Sequence, residues 1–532
     1  MLNSVWATRG MVVAPHSLAA QAGCAVLRDK GTAIEAMVAA ASVIAMVYPH
    51  MNALGGDAFW LVMPPDGPPF AIDACGPAAA AASIDWYRGQ GQSAIPTRGP
   101  LAANTMAGTV GGWALALETA SRQFGAKLPL ARLLQDAVDF GRQGFPVTPS
   151  QSAVTAQKLE ELRGQSGFAE HFLCGGAAPA AGSLMRRQQL AATLEQLSSA
   201  GLDDFYRGAL AENMAAELQS LGSPLTLADF NAYRARIVEP VTLAHQAGQL
   251  YNMTLPTQGV ISLAILGIAE LAGLASCAPD SADHVHCLVE ATKQAFLLRD
   301  LYVTDPKTAP IPAQAILDAR RLADCADRID PRRALPWGKG QTPSDTIWMG
   351  AVDRSGLAVS FIQSIYHEYG SGIVLKGSGV NWQNRGSSFR LDPSHLLALA
   401  PGKKPFHTLN PAAARLKDGA TLVYGTMGGD GQPQTQSAVF SRHALFGQSL
   451  QQAVTAPRWL LGRTWGQSSD TLKLEDRFGT EIIEDLQARG HEVEIYPAFS
   501  ETMGHAGAIL RRADGVLEGA ADPRSNGAAA GF

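Results

Sequence analysis

A chain of 532 residues, 46% hydrophobic and 17% charged with 54 Gly and 31 Pro, has the composition of a folded globular protein. That length allows roughly two to four domains, or one large α/β body. The formal net charge of −5 gives no electrostatic footprint for nucleic acid or for a membrane surface, and six scattered cysteines (Cys24, Cys75, Cys174, Cys277, Cys287, Cys325) without a CxxC pair fit reduced thiols better than a disulfide framework.

In chain order, Arg9, Pro15 and His16 interrupt the apolar residues that a signal peptide would need. No window reaches the roughly 18 apolar residues of a transmembrane helix. AIEAMVAAASVIAMVYP comes closest, bounded by Glu35 and Pro49, and reads as a buried helix. The expectation is a cytoplasmic protein. SLAAQAGCAVLRDKG has helical spacing with a stop at Gly31, and Thr32 with Glu35 has capping-box spacing for the helix that follows. GDAFWLVMPPDGPPFAIDA switches to strand period around a Pro/Gly turn. TVGGWALALETASRQFG, PLARLLQDAVDFGRQGF and the long, amphipathic SADHVHCLVEATKQAFLLRDLYV return to helix.

After about residue 330 the pattern changes. PRRALPWGKGQTPSD has no apolar period and reads as an exposed linker. Two strands follow in TIWMGAVD-RSG-LAVSFIQSI, joined by a turn containing Gly356. TLVYGTMGGDGQP, TLKLEDRF and VEIYPAF add strands, and GTEIIEDLQARG is a helix stopped by Gly490. Helices, then strands, then a helix predict layered α/β packing with antiparallel strands.

Thr346 opens the first hairpin strand directly behind the linker. A hydroxyl is a poor nucleophile without a base beside it. Cutting the Asp345–Thr346 bond would give Thr346 its own α-amine, whose reference pKa of about 7.7–8.0 leaves a useful neutral fraction near pH 7. Nucleophile and base then share one residue, with little positioning entropy left to lose. On this stretch alone, the simpler reading is that Thr346 is an ordinary strand residue.

Five blocks in order carry a wider resemblance: VVAPHSLAAQAGCAVLRDKGTAIEAMVAAA, MNALGGDAFWLV, NTMAGTVGGWALALE, TMGGDGQPQ and the terminal GAADPRSNGAAAGF. Together they resemble the γ-glutamyltransferase family of N-terminal nucleophile hydrolases over nearly the whole chain. The resemblance implies a four-layer αββα sandwich (α/β, in the α+β sense). It implies self-cleavage between Asp345 and Thr346 into segments 1–345 and 346–532 that stay packed as one body. It implies Thr346 as nucleophile, aligned through AVDRSG, and Ser364 as the hydroxyl on the second hairpin strand that contacts it. Gly428 and Gly429 would supply N–H groups to the oxyanion. No cofactor or metal is needed. The partners implied are a small-molecule amide and the chain's own two segments, with neither nucleic acid nor membrane; a homo-oligomer stays open.

The family's clamp for an α-amino acid is altered here. Ile84 stands where an arginine would grip the α-carboxylate, Ile347 replaces the second of two threonines, and Tyr366 replaces an asparagine. Ser388 stands where an aspartate would pair with the α-ammonium, and His407 and Thr408 replace paired serines. Arg385 replaces a neutral glutamine. An ammonium without an anionic partner pays a desolvation cost in a closed pocket, whereas a guanidinium suits a small carboxylate or planar oxo-acid. Arg385 facing solvent or a structural carboxylate is the alternative. One branch of the family hydrolyses oxamate during purine-ring breakdown, and another comprises acylases of dicarboxylate side chains on β-lactam compounds. The pattern favours a small-acid amidohydrolase resembling the oxamate branch, with γ-glutamyl hydrolysis or transfer second.

Two other classes stay in view. DHVHCLVE offers His284, His286, Cys287 and Glu290, with His286 and Glu290 on one helical face, so a metal site is conceivable. An uncleaved, non-catalytic binding protein is the other. Neither GxxxxGK[ST] nor a strand-linked GxGxxG is present, which argues against nucleotide binding.

Overall fold

The computed structural model describes residues 3–338, 345–463 and 469–532, with Asp345 described by its backbone alone. Of the expected linker, 331–338 carries neither helix nor strand and is largely exposed, while 339–344 lies outside the described residues.

Fourteen strands build two sheets. They are β1 (Val5–Ala7), β2 (Met11–Ala14), β3 (Asp57–Met63), β4 (Phe70–Ala74), β5 (Arg236–Val238), β6 (Val241–His245), β7 (Gly248–Asn252), β8 (Asp345–Val352), β9 (Ala358–Tyr366), β10 (Ala412–Leu416), β11 (Thr421–Thr426), β12 (Ala506–Arg511), β13 (Leu517–Ala521) and β14 (Ala528–Gly531). One sheet runs β1-β13-β12-β11-β10-β7-β6 and the other β14-β2-β8-β9-β3-β4-β5, each with seven antiparallel strands. Both sheets contain strands from before and after residue 345, with β2 paired to β8, β3 to β9 and β7 to β10. Breaking the chain at 345/346 would therefore leave its pieces held by ladders in both sheets.

The sheets face each other across a core of Met11, Val13, Phe59, Leu61, Trp348, Ile362, Val423 and Ile509. Trp348 is fully buried there, its indole N–H donating to Ser360 Oγ at 2.9 Å. A Cβ on Gly425 or Gly507 would collide with that ring, so both facing strands carry glycine at its level. A buried tryptophan removes roughly 150–250 Å² from water, about 4–6 kcal/mol before entropy is counted.

Helices cover both outer faces, which makes four layers. On the β8–β9 side lie α1 (Ser17–Arg28), α2 (Ala33–Val47), α3 (Thr109–Gln123) and α4 (Leu130–Gln143); on the other, α5 (Gly259–Leu271), α6 (Ala282–Tyr302) and α7 (Gly431–Phe440). Thr32 and Glu35 form the expected capping box, and α2 is buried along its whole length. Three expectations are corrected. α1 ends before Gly31, with Asp29 as its C-cap and Lys30 rather than glycine at positive φ. α6 is buried on nearly every face instead of one. The strand expected over TLVYGTMGGDGQP ends at Thr426, and α7 begins inside it at Gly431; its Gln- and Ser-rich sequence shows no apolar stripe, since every residue is buried. Two of its side-chain amides donate to carbonyls, Gln434 to Leu461 and Gln436 to Asn410. No described helix is long and apolar enough to cross a membrane.

Candidate active site

The hairpin is irregular where it matters. Asp345 pairs with Tyr366, but Ile347 pairs with Gln363, so Thr346 alone stands opposite Ser364 and Ile365. Such a bulge re-aims side chains at the end of a strand. Tyr366, just beyond it, has φ of +81°, a conformation costing a tyrosine on the order of 1–3 kcal/mol. Its N–H donates to Ser364 Oγ at 2.8 Å, which holds the turn. Thr346 is completely buried, and Ile347 points the opposite way, into the helix-side core. The position of the expected second threonine is thus a packing position here.

Register across the two sheets places the glycine pair at the same end. Gly350 lies beside Ile509, which pairs with Val423, and Trp348 lies against Gly425. Thr346 lies two residues beyond Trp348, and Gly428 three beyond Gly425, so both strands run toward this end. Gly428 and Gly429 take φ of +114° and +53°, the region glycine occupies without strain. Gly428 C=O accepts the N–H of Gly431 at 2.7 Å, at the start of α7. The N–H of Gly429, trans across that same planar peptide, consequently points away from the helix. Gln258 ties this turn to the next wall, donating to Gly429 O at 2.9 Å and to Thr408 O at 3.3 Å.

Arg385 does not face solvent: it is 0% exposed, with its guanidinium 3.8 Å from the centre of the Tyr366 ring. One nitrogen donates to Thr408 Oγ1 at 3.3 Å, while Nε and Nη1 have no hydrogen-bond partner among the described residues. Burial pulls its pKa down to about 10, with Tyr366 and Asp57 opposing. Outside Tyr366 lies a cleft of about 430 Å³ shared with Phe389, Arg390 and His395, so that ring separates the guanidinium from the surface. Ser388 is buried three residues on, its hydroxyl making a long 3.5 Å contact to Phe406 O. Ile84 begins a short helix capped by Ser83.

His407 is fully buried, its ring packed edge-on against Phe59 and its Nε2 3.0 Å from Asp57 Oδ2. Asp57 opens β3 directly opposite Ser364. Its Oδ1 accepts from Gly76 N–H at 2.9 Å and from the Gln383 amide at 3.1 Å. Burial drives the Asp57 pKa up to about 7 against the pull of those donors and Arg385, and burial with the Arg385 charge holds His407 well below the usual range. Sequence reasoning missed Asp57, Gln383 and Gln258. The available signal was a carboxylate heading a strand whose other residues are all apolar, DAFWLVM.

Two triads of described residues could in principle hold a metal. Asp57, Cys75 and His407 form one, but burial pushes the Cys75 thiol far up and the Asp57 oxygens are already engaged. His286, Glu290 and His491 form the other. There His286 is bonded to His491 at 2.8 Å, and Glu290 takes Lys293 at 2.6 Å and Leu335 N–H at 3.1 Å. His284 turns away to Ser441. This donor set is closed by its own partners. A cleft of about 770 Å³ beside His286, Cys277 and Arg489 includes none of the residues gathered around Thr346.

The gamma-glutamyltranspeptidase family profile matches residues 19–532. The chain is 59% identical to an oxamate amidohydrolase proenzyme of Klebsiella pneumoniae subsp. pneumoniae over all of both chains. It is 39% identical to a glutathione hydrolase-like YwrD proenzyme of Bacillus subtilis, again over 100% of each. Among solved structures, a cephalosporin acylase from Bacillus halodurans superposes with a TM-score of 0.91 at 31% identity, covering 100% of this chain and 97% of that one.

Proposed function

This chain belongs to the gamma-glutamyltranspeptidase family, and on that premise we propose that it is a self-processing amidohydrolase that releases ammonia from oxamate or a closely similar small acid amide. In the precursor, the Thr346 hydroxyl attacks the Asp345 carbonyl carbon and the peptide nitrogen leaves as the new α-amine. Water hydrolyses the resulting ester, separating segments 1–345 and 346–532. In the mature enzyme that amine takes the hydroxyl proton as Thr346 attacks the substrate amide. Gly428 and Gly429 donate to the oxyanion, Ser364 supports the nucleophile's strand, and the amine returns the proton to departing ammonia. Water then releases the acyl group. Arg385, Tyr366, Thr408, His407 and Ser388 form the acid-binding wall.

The observation that carries this reading is the guanidinium of Arg385. It is fully buried, two of its nitrogens have no partner among the described residues, and it lies over Tyr366 at the strand end that presents Thr346. A buried cation lacking an ion-pair partner is costly unless a ligand supplies one. In oxamate the carboxylate is attached directly to the scissile carbonyl, so a cation near the nucleophile reaches it. A γ-glutamyl group would bring an ammonium to a wall with no carboxylate among these residues, Ser388 standing at that position. The name of the 59% identical relative supports the same choice. The test is ammonia release by the purified protein from oxamate, glutamine and glutathione at matched concentrations, with glutamate release followed for glutathione. The expected outcome is a kcat/KM for oxamate at least about 100-fold above either γ-glutamyl compound. Preferential glutathione hydrolysis would move the assignment to the γ-glutamyl reading.

A further inference from the structure

The bond between His407 and Asp57 also bears on how the wall tells one small acid from another, given the oxamate reading above. Both side chains are completely buried. Asp57 Oδ1 already takes two donors, from Gly76 and Gln383, so Oδ2 is the oxygen left for the imidazole. A carboxylate there accepts the proton of Nε2–H, and the neutral imidazole then carries a lone pair on Nδ1. Nδ1 has no hydrogen-bond partner among the described residues. The adjacent residue, Thr408, takes the Arg385 guanidinium, whose Nε and Nη1 are likewise unpartnered. The wall therefore offers donors for an anion and one fixed acceptor.

We propose that Asp57 is a positioning residue that holds His407 in the Nε2–H tautomer, so that Nδ1 accepts an N–H from the ligand whose carboxylate lies on Arg385. The ligand class is then a small planar acid carrying both a carboxylate and an N–H donor. A primary amide next to the carboxylate meets both demands, and an isosteric acid with a methyl group in place of the NH2 meets only one. Phe59, edge-on to the ring at 4.8 Å, keeps the imidazole from swinging away.

Asp57→Asn is the informative change. Its oxygen must take the Oδ1 place to keep the Gly76 and Gln383 donors, which leaves its NH2 facing Nε2. The imidazole is then forced to carry its proton on Nδ1, the wrong-tautomer effect known from asparagine in place of a triad aspartate. The probes are oxamate and pyruvate, alike in charge and shape and differing by NH2 against CH3. Wild type is expected to bind oxamate more tightly than it binds pyruvate as a competitive inhibitor. In Asp57→Asn the ratio of pyruvate Ki to oxamate KM should fall about tenfold, the cost of facing an N–H donor with another donor. Both probes carry one negative charge, so loss of the Asp57 charge largely cancels in that ratio.

Imidazole ¹⁵N shifts should report the proton on Nε2 in wild type and on Nδ1 in Asp57→Asn, a change that a merely structural role would not produce. The wild-type ratio should also fall between about pH 8 and pH 6. A proton added to Asp57 sits on Oδ2 and donates to Nε2 as the asparagine does. The groups facing Asp57 are Arg385, Gln383, His407, Cys75, Asp73, which is paired with Lys404, and the buried Tyr206 and Tyr233, whose hydroxyls burial holds neutral through this range. If Asp57→Asn does not fold or process, His407→Phe, which fills the ring's place against Phe59, should lose the same discrimination. An unchanged ratio in a folded, processed variant, or an Nδ1–H imidazole in wild type above pH 7, overturns the inference and leaves the oxamate reading standing. No ammonia from oxamate with wild type overturns that reading and this inference with it.

Discussion

Thr346→Ala is expected to remain one uncut chain and to release ammonia from oxamate about 10⁴-fold more slowly than wild type, or not at all. Both effects follow from one atom. Without Oγ1 nothing attacks the Asp345 carbonyl, so the α-amine that serves as base in turnover is never freed. Removing a nucleophile from a unit that works together costs about as much as removing the whole unit. The site should otherwise survive: Thr346 occupies the single-residue side of the bulge, and the Asp345–Tyr366 and Ile347–Gln363 pairings are made by backbone. Thr346→Ser, which keeps a hydroxyl, is expected to process and to retain measurable activity. Denaturing electrophoresis and the ammonia assay on the same preparations check both statements. Full activity in an uncut alanine variant would place the chemistry elsewhere.

Arg385→Leu is expected to lower kcat/KM for oxamate by about 10²-fold, mainly through KM, and to leave processing intact. A carboxylate held by charge-assisted bonds in both ground and transition states contributes mostly uniform binding. Lysine at this position keeps the charge without the paired fork, and should recover only part of the loss. The same substitution is expected not to lower thermal stability. Among the described residues Arg385, wholly buried, makes one 3.3 Å hydrogen bond to Thr408 and lies over the Tyr366 ring, a face leucine can still pack against, so the substitution removes a desolvated charge at the loss of one long hydrogen bond. A drop in Tm larger than the drop in oxamate affinity would make Arg385 a structural residue. Activity bought at the expense of stability is the pattern expected of a binding group.

The hairpin of β8 and β9, the capping box at Thr32 and the turn at Gly428–Gly429 were legible because each rests on a local rule: strand alternation, an S/T-x-x-E spacing, a glycine pair. The convergence of Tyr366, Arg385 and Thr408 was not. Arg385 lies nineteen positions beyond Tyr366 in sequence, and Tyr366 meets the guanidinium from a positive φ that no local pattern announces. Asp57 was hidden for a related reason. Its partners come from residues 76, 383 and 407, and no spacing relates them. α7 escaped because periodicity reports one-sided burial, and this helix is buried on all sides. β5 to β7 lie in a stretch read as helix-rich and are short, with mixed burial and little alternation.

The most direct test of the account is the intact mass of the purified wild-type chain under denaturing conditions. Two masses are predicted, summing to the 56.0 kDa precursor plus one water, with the smaller fragment beginning at Thr346. A single 56.0 kDa species after prolonged incubation, or a cut at any other bond, would contradict it.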